Sequence, residues 1–207
     1  MTPRLKKTAA AVAALLALAI ASGCPPLRLA VRGRDRWQKP AEVVEALAIR
    51  HGSNLADIGA GDGYFTFRLA DATGPAGRVY AVDLDEGDLE LLARTARDRG
   101  LSNVSTVLAR PDNPGLPAAS LDLILLCNTF HHLPDKVAYF RALRASLRPR
   151  GRVAIIEMQD LPWYLGHGEH QTDAKIIRGE MESAGYVLSA EHGFLELQSF
   201  LVFTLAP

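Results

Sequence analysis

Three glycines alternate with other residues in Asp57-Ile-Gly-Ala-Gly-Asp-Gly63, directly after an apolar run that begins at Asn54. Gly59, Gly61 and Gly63 allow positive φ and carry no Cβ, so the backbone there can lie directly against a bound molecule at the end of a strand. The next apolar run ends in Asp83. In a Rossmann-like sheet a carboxylate at that point accepts hydrogen bonds from ribose hydroxyls, using lone pairs on both oxygens. Asp83 can instead cap the following helix, and so can Asp85. A third polar cluster, Asn128-Thr-Phe-His-His-Leu-Pro-Asp135, follows a nearly continuous apolar run from Leu121. His131 and His132 are side chains able to act as a general base.

The elements that must position these groups follow from the apolar pattern. Asn54 to Ala70 predicts strand, tight loop and amphipathic helix. Arg78–Leu84 predicts a second strand and about Glu86 to Arg99 a helix, with Leu89, Leu92, Ala93 and Ala96 at helical spacing. Val104–Ala109 predicts a third strand before the turn-rich stretch Arg110–Pro117. Leu121–Asn128 has the composition of a central parallel strand buried on both faces. Asp135 caps a helix whose Val137, Phe140, Leu143 and Leu147 form an apolar face, and Leu147–Gly151 turns into a fifth strand, Arg152–Met158. A helix from about Thr172 to Ala184, stopped by Gly185, precedes strands at Tyr186–Glu191 and Leu195–Phe203. Upstream, Pro40 opens a helix over 41–50 that Gly52 ends.

A dinucleotide loop of the GxGxxG kind needs glycine at 64, where this chain has Tyr64. That spacing and the terminal pair of strands oppose a nicotinamide enzyme. The run Asp57–Gly63 instead resembles the first motif of class I S-adenosylmethionine-dependent methyltransferases, and Asn128–Leu133 resembles their fourth. Leu147-Arg-Pro-Arg-Gly151 is similar to the family's Leu-Lys-Pro-Gly-Gly turn, with Arg150 replacing a glycine. The resemblance covers roughly residues 37 to 207. It implies a three-layer α/β fold: a doubly wound, mostly parallel seven-stranded sheet of order 3-2-1-4-5-7-6 with an antiparallel last strand. It implies S-adenosyl-L-methionine as cofactor, held by Asp57, Gly59, Gly61, Gly63 and Asp83. Asp112 is the candidate reader of the adenine amino group, a turn-forming role being the alternative, and Asn128 touches the methionine part. The implied reaction is methyl transfer to an O or N atom of a small molecule, with His131 or His132 as base; alternatively His132 is packed and His131 only lines the cavity. A second class of function is a membrane-tethered protein that binds S-adenosylmethionine or a nucleotide without catalysis.

With 207 residues, 48% hydrophobic and 22% charged, the chain suits one globular domain. Its formal net charge of zero leaves no electrostatic footprint for nucleic acid. The beginning differs in kind. Arg4, Lys6 and Lys7 precede an Ala/Leu-rich run from Thr8 to Ile20, then Ala21-Ser22-Gly23-Cys24. This predicts a signal peptide over 1–23 and resembles a bacterial lipobox, with Cys24 lipidated. Residues 24–40 then form a tether and lid containing Trp37, and 41–207 the methyltransferase domain. The expected location is membrane-anchored, facing the periplasm or exterior. Arg28, Arg32, Arg34, Arg36 and Lys39 favour the cytoplasmic face as the alternative. Cys127 is expected to be a small core residue. Asp160–Gln171, with Trp163, Tyr164, His167 and His170, predicts a substrate loop. His167, Glu169 and His170 lie among glycines with no fixed helical face, so no metal site is predicted.

Overall fold

The computed structural model describes residues 33–159 and 172–207. The leader with Cys24 and the loop with Trp163, Tyr164, His167 and His170 lie outside the described residues. The chain divides into two units, residues 1–39 and 40–207. In the first, residues 33–38 are helical and the Arg34 Nε donates to Gln38 Oε1 at 2.6 Å. The second carries the sheet.

Its strands are β1 (Asn54–Ile58), β2 (Arg78–Asp83), β3 (Val104–Leu108), β4 (Leu121–Cys127), β5 (Leu147–Met158), β6 (Tyr186–His192) and β7 (Gln198–Leu205). The helices are α1 (Pro40–Ala46), α2 (Thr66–Thr73), α3 (Glu86–Asp98), α4 (Lys136–Leu143) and α5 (Ala174–Ser183). The sheet order is β3-β2-β1-β4-β5-β7-β6, as expected. β1 to β5 pair in parallel, and β7 runs antiparallel to both β5 and β6.

Alternation along the strands feeds a core on each face. Val153 and Ile155 of β5 join Ala56 and Ile58 against Phe140 and Leu143 of α4 and Ile177 and Met181 of α5. Ala154 and Ile156 join Leu55 against Val43 and Leu47 and against Phe65 and Leu69. Leu92 and Ala96 of α3 pack with Phe67 of α2 and Ala81 of β2. The sheet is thereby sandwiched between α1–α3 and α4–α5, the doubly wound arrangement. Two buried polar side chains are matched in the core: the Tyr186 hydroxyl donates to Phe140 O at 2.9 Å, and Asn103 Nδ2 donates to Ala70 O and Gly74 O, both at 2.9 Å, tying down the end of α2. Cys127 is half-buried against the second core cluster.

Several boundaries differ from the sequence pattern. α1 stops at Ala46 instead of running to Arg50, because Ala48 turns the chain at φ 46°. Leu47 is still fully buried. Leu147 belongs to β5 and not to the face of α4, pairing with Leu121. The expected turn survives inside β5 as a bulge: Leu121 pairs Leu147 and Leu123 pairs Arg152, so residues 148–151 stand opposite the single Asp122. β7 starts at Gln198 and not at Leu195, since its ladder begins opposite Met158, the last residue of β5.

The bulge puts Arg150 at φ 69°, a left-handed conformation that costs an L-residue about 1–2 kcal/mol and glycine little. Arg150→Gly is therefore expected to raise unfolding stability by up to about 1 kcal/mol, after the extra freedom of glycine in the unfolded chain is deducted. A urea midpoint that rises at constant slope would bear this out; an unchanged or lower midpoint would count against strain at the bulge.

Candidate functional site

The glycine loop is shaped by the end of β2. Gly59 N and Ala60 N both donate to Val82 O, at 2.8 and 3.1 Å, and Gly61 N donates to Asp83 Oδ2 at 2.8 Å. Asp83 Oδ1 also accepts from Leu84 N at 2.7 Å and Asp85 N at 3.2 Å. The helix cap is Asp85, which accepts from Asp88 N at 3.0 Å. Asp83 is thus free of the capping role and sits half-buried at the loop.

The glycines have different reasons. A Cβ at Gly59 would lie 2.1 Å from Thr129 Oγ1, so this residue lets β1 and the loop after β4 approach. A Cβ at Gly63 would meet the Phe67 ring at 2.6 Å, so this glycine admits the close packing of α2. Gly61 has φ 50° and nothing within 4 Å of its Cβ position. Its side is open, as a backbone approached by a ligand requires. Asp57 is buried and accepts from Thr66 Oγ1 at 2.6 Å, fastening the start of α2 to β1; it is not among the cavity-lining residues.

A cavity of about 310 Å³ opens at the carboxyl ends of β1, β2 and β4, a size typical of small-molecule sites. Gly59, Asp83, Asn128 and His132 line it, with Ile58, Val82, Leu84, Leu133 and Tyr139 as apolar walls. Leu84 is 58% exposed, an uncovered apolar surface at the mouth of the cavity. Asp112 is exposed in the turn bridged by Arg110 and Asn113 and does not line the cavity; Arg110 and Pro111 do. Asp112, the expected reader of the adenine amino group, thus holds a turn position outside the cavity lining.

Asn128 adopts φ 54° at the end of β4, and its Oδ1 accepts from Gln198 Nε2 at 2.8 Å. The histidines exchange the roles of the bland alternative: His132 lines the cavity and is exposed, whereas the His131 side chain is 7% exposed. His131 Nδ1 lies 2.9 Å from Oε1 of Glu157, which is fully buried, and its backbone N donates to Oε2 at 3.4 Å. Glu157 thereby fixes the short helical turn Phe130–His132, and the two imidazoles stand 3.9 Å apart.

Glu157, Gln198, Thr66 and Thr129 escaped the motif pattern. Glu157 and Gln198 did leave a signal, being polar groups within strands otherwise built for burial on both faces. Thr66 and Thr129 left none.

A glycine loop at the end of β1, a carboxylate at the end of β2 and this strand order are the fold of class I methyltransferases. Residues 56–153 match the family model of a methyltransferase domain. The chain is 34% identical over 103 residues to the aklanonic acid methyltransferase DauC of Streptomyces sp. strain C5, covering 50% of this chain and 47% of that protein. It is 34% identical over 106 residues to the nocamycin O-methyltransferase of Saccharothrix syringae, covering 51% and 38%. The chain thus spans about half or less of the length of these relatives. Among solved structures, a SAM-dependent methyltransferase from Aquifex aeolicus superimposes with a TM-score of 0.77 at 22% identity, covering 84% of this chain and 93% of that one.

Burial pushes the Glu157 carboxyl up to about 7, although N–H groups of His131, Met158 and Phe130 and the charge of His132 pull it back. The folded protein then holds this proton more tightly than the unfolded chain, so its contribution to stability is full below about pH 4.5 and is lost as pH rises to about 7. Glu157→Gln keeps the shape without the titration. It is expected to remove a decline of the order of a few kcal/mol across that window, measured by denaturant unfolding at stepped pH; a slope equal to that of the parent protein would refute the assignment.

Proposed function

We propose that the protein is an S-adenosylmethionine-dependent methyltransferase acting on an oxygen or nitrogen atom of a small molecule. The observation that carries this reading is the Gly61–Asp83 brace, which holds a Cβ-free backbone beside a half-buried carboxylate that lines a largely apolar cavity. The residues fit the cofactor. Asp83 has acceptor capacity left for ribose hydroxyls, the apolar wall with exposed Leu84 suits an adenine face, and Asn128 suits the methionine end. When bound, the cofactor supplies a methyl group already activated on a sulfonium.

Positioning is then the main work of the chain, and alignment alone can supply several kcal/mol of barrier reduction. His132 is the candidate general base, since it lines the cavity; His131 and Glu157 orient it from behind. The name of the nocamycin O-methyltransferase supports an oxygen acceptor, and both relatives' names support a small one.

Calorimetry with S-adenosylmethionine and its demethylated product, with NAD as control, tests the site. Asp83→Ala is expected to weaken both ligands about tenfold or more, the loss of hydrogen bonds to a charged acceptor. In the same series His132→Ala should leave binding within about twofold while turnover of a phenolic or hydroxylated acceptor falls about 10²-fold or more. NAD binding in place of the pair would sink the cofactor assignment, and unchanged turnover in His132→Ala would remove the base.

We further propose that the N-terminal apolar run directs the protein to a membrane and that an acylated Cys24 anchors it. The support is the sequence of residues 4–24 alone. Among the described residues no helix is long and apolar enough to cross a membrane. Cys24→Ser is expected to shift the protein from the membrane to the soluble fraction; an unaltered distribution would exclude a lipid on this residue.

A further inference from the structure

A second cavity, of about 280 Å³, lies at the amino-terminal edge of β1 and β4, whose carboxyl ends border the cavity described above. Ala48, Ile49 and Arg50 line it after α1, Ser53 and Leu55 at the start of β1, Asp122 and Leu123 on β4, and Pro149, Arg150 and Arg152 on the β5 bulge. Three guanidinium groups therefore meet in one hollow. Arg152 Nη2 donates to Leu47 O at 2.6 Å. Among the described residues no carboxylate pairs with Arg50, Arg150 or Arg152. Asp122, the carboxylate in the lining, is engaged elsewhere: its Oδ2 accepts from Arg148 Nη1 at 2.7 Å and from Asn54 N at 2.8 Å. The lining thus keeps an excess of positive charge that the protein does not neutralise.

Two observations show that the arrangement is held against a cost. Burial and the neighbouring charge of Arg50 both hold the half-buried Arg152 below the usual guanidinium range, so like charges are kept close. The cavity is also flanked by two non-glycine residues in left-handed backbone, Ala48 at φ 46° and Arg150 at φ 69°. Backbone strain of this kind persists where the surroundings enforce it and collects at ligand sites. Arg150 stands where glycine would relieve the strain, and what it adds over glycine is a guanidinium aimed at no internal partner.

We propose that this arginine cavity binds an anion of the phosphate class, at a site separate from the glycine-loop cavity. Guanidinium forks match phosphate oxygens in pairs and, being weakly hydrated, lose little on entering a partly buried site. Three unneutralised cations call for a polyvalent anion, a diphosphate or the phosphate of an anionic headgroup. The proposal is independent of the methyl-transfer reading, because none of these residues borders the glycine loop.

Inorganic pyrophosphate, titrated into the full chain by calorimetry at low salt, is the first probe. One site per chain is expected, with affinity falling steeply as salt rises and persisting when S-adenosylhomocysteine is present. Arg50→Glu, at an exposed residue with no structural partner, is expected to weaken binding roughly tenfold or more. Arg150→Gly should weaken it as well while the fold is kept, as its urea midpoint reports. A second arm compares sedimentation with phosphatidylglycerol and phosphatidylcholine vesicles. If Arg50→Glu abolishes the preference for the anionic vesicle, the source is a headgroup. If it abolishes pyrophosphate binding and leaves the vesicle preference intact, the source is a soluble phosphate. No pyrophosphate binding together with no anionic-vesicle preference that Arg50→Glu removes, equal binding by both variants and the parent, or displacement by S-adenosylhomocysteine would each overturn the proposal.

Discussion

Three successive backbone N–H groups, those of Gly59, Ala60 and Gly61, all donate to the last two residues of β2. Everything at the candidate site depends on that coupling. A loop of three positive-φ glycines has more conformations open to it than any other run in the chain, and ordering it costs entropy that no apolar burial returns. The parallel pairing of β1 with β2 puts Val82 and Asp83 beside the loop, so that ladder and loop are ordered together. Asp83 has a double part in this. It holds the loop through Oδ2 and the start of the following turn through Oδ1, and it offers what capacity remains to the cavity.

From that fixed edge the cavity acquires its character by addition. The apolar interior of the sheet ends at Ile58 and Val82, which form the floor. The loop after β4 closes the other side, admitted by the missing Cβ at Gly59. Glu157 and Gln198, both buried, then fix His131 and Asn128. The side chains at the rim are therefore oriented from below by groups that never face solvent, the arrangement a site needs if its geometry is to outlast thermal motion.

Most elements were legible in the sequence because burial on both faces leaves nearly continuous apolar runs, as in Leu121–Cys127, and because Asp85 and Asp135 mark helix starts; the strand order came with the family resemblance. The shape of the loop was legible at Gly59, Gly61 and Asp83, where a type of residue is demanded by backbone geometry. Not legible was that Asp57 is bonded to Thr66, that Gly63 packs on Phe67 and that Asp112 stands outside the cavity lining. An acid or a glycine in a motif can serve packing as well as binding, and one dimension cannot tell whether Asp57 faces a ligand or Thr66. The order of the two histidines turned on the short helix Phe130–His132, whose direction is set by Glu157 from 26 residues away. Such a long-range contact has no trace in local spacing.

Asn128 and Gln198 stand 70 residues apart in the chain and share one hydrogen bond. A polypeptide is made from its N-terminal end, so the glycine loop, Asp83 and the first five strands exist before β7 can insert between β5 and β6. Until it does, the Asn128 carboxamide lacks this partner and β5 presents an unpaired edge. The order of synthesis therefore makes the cavity one of the last features of the domain to mature. A nascent or truncated chain lacking β7 would possess every recognisable motif and still have an unfinished pocket beside an edge open to other strands.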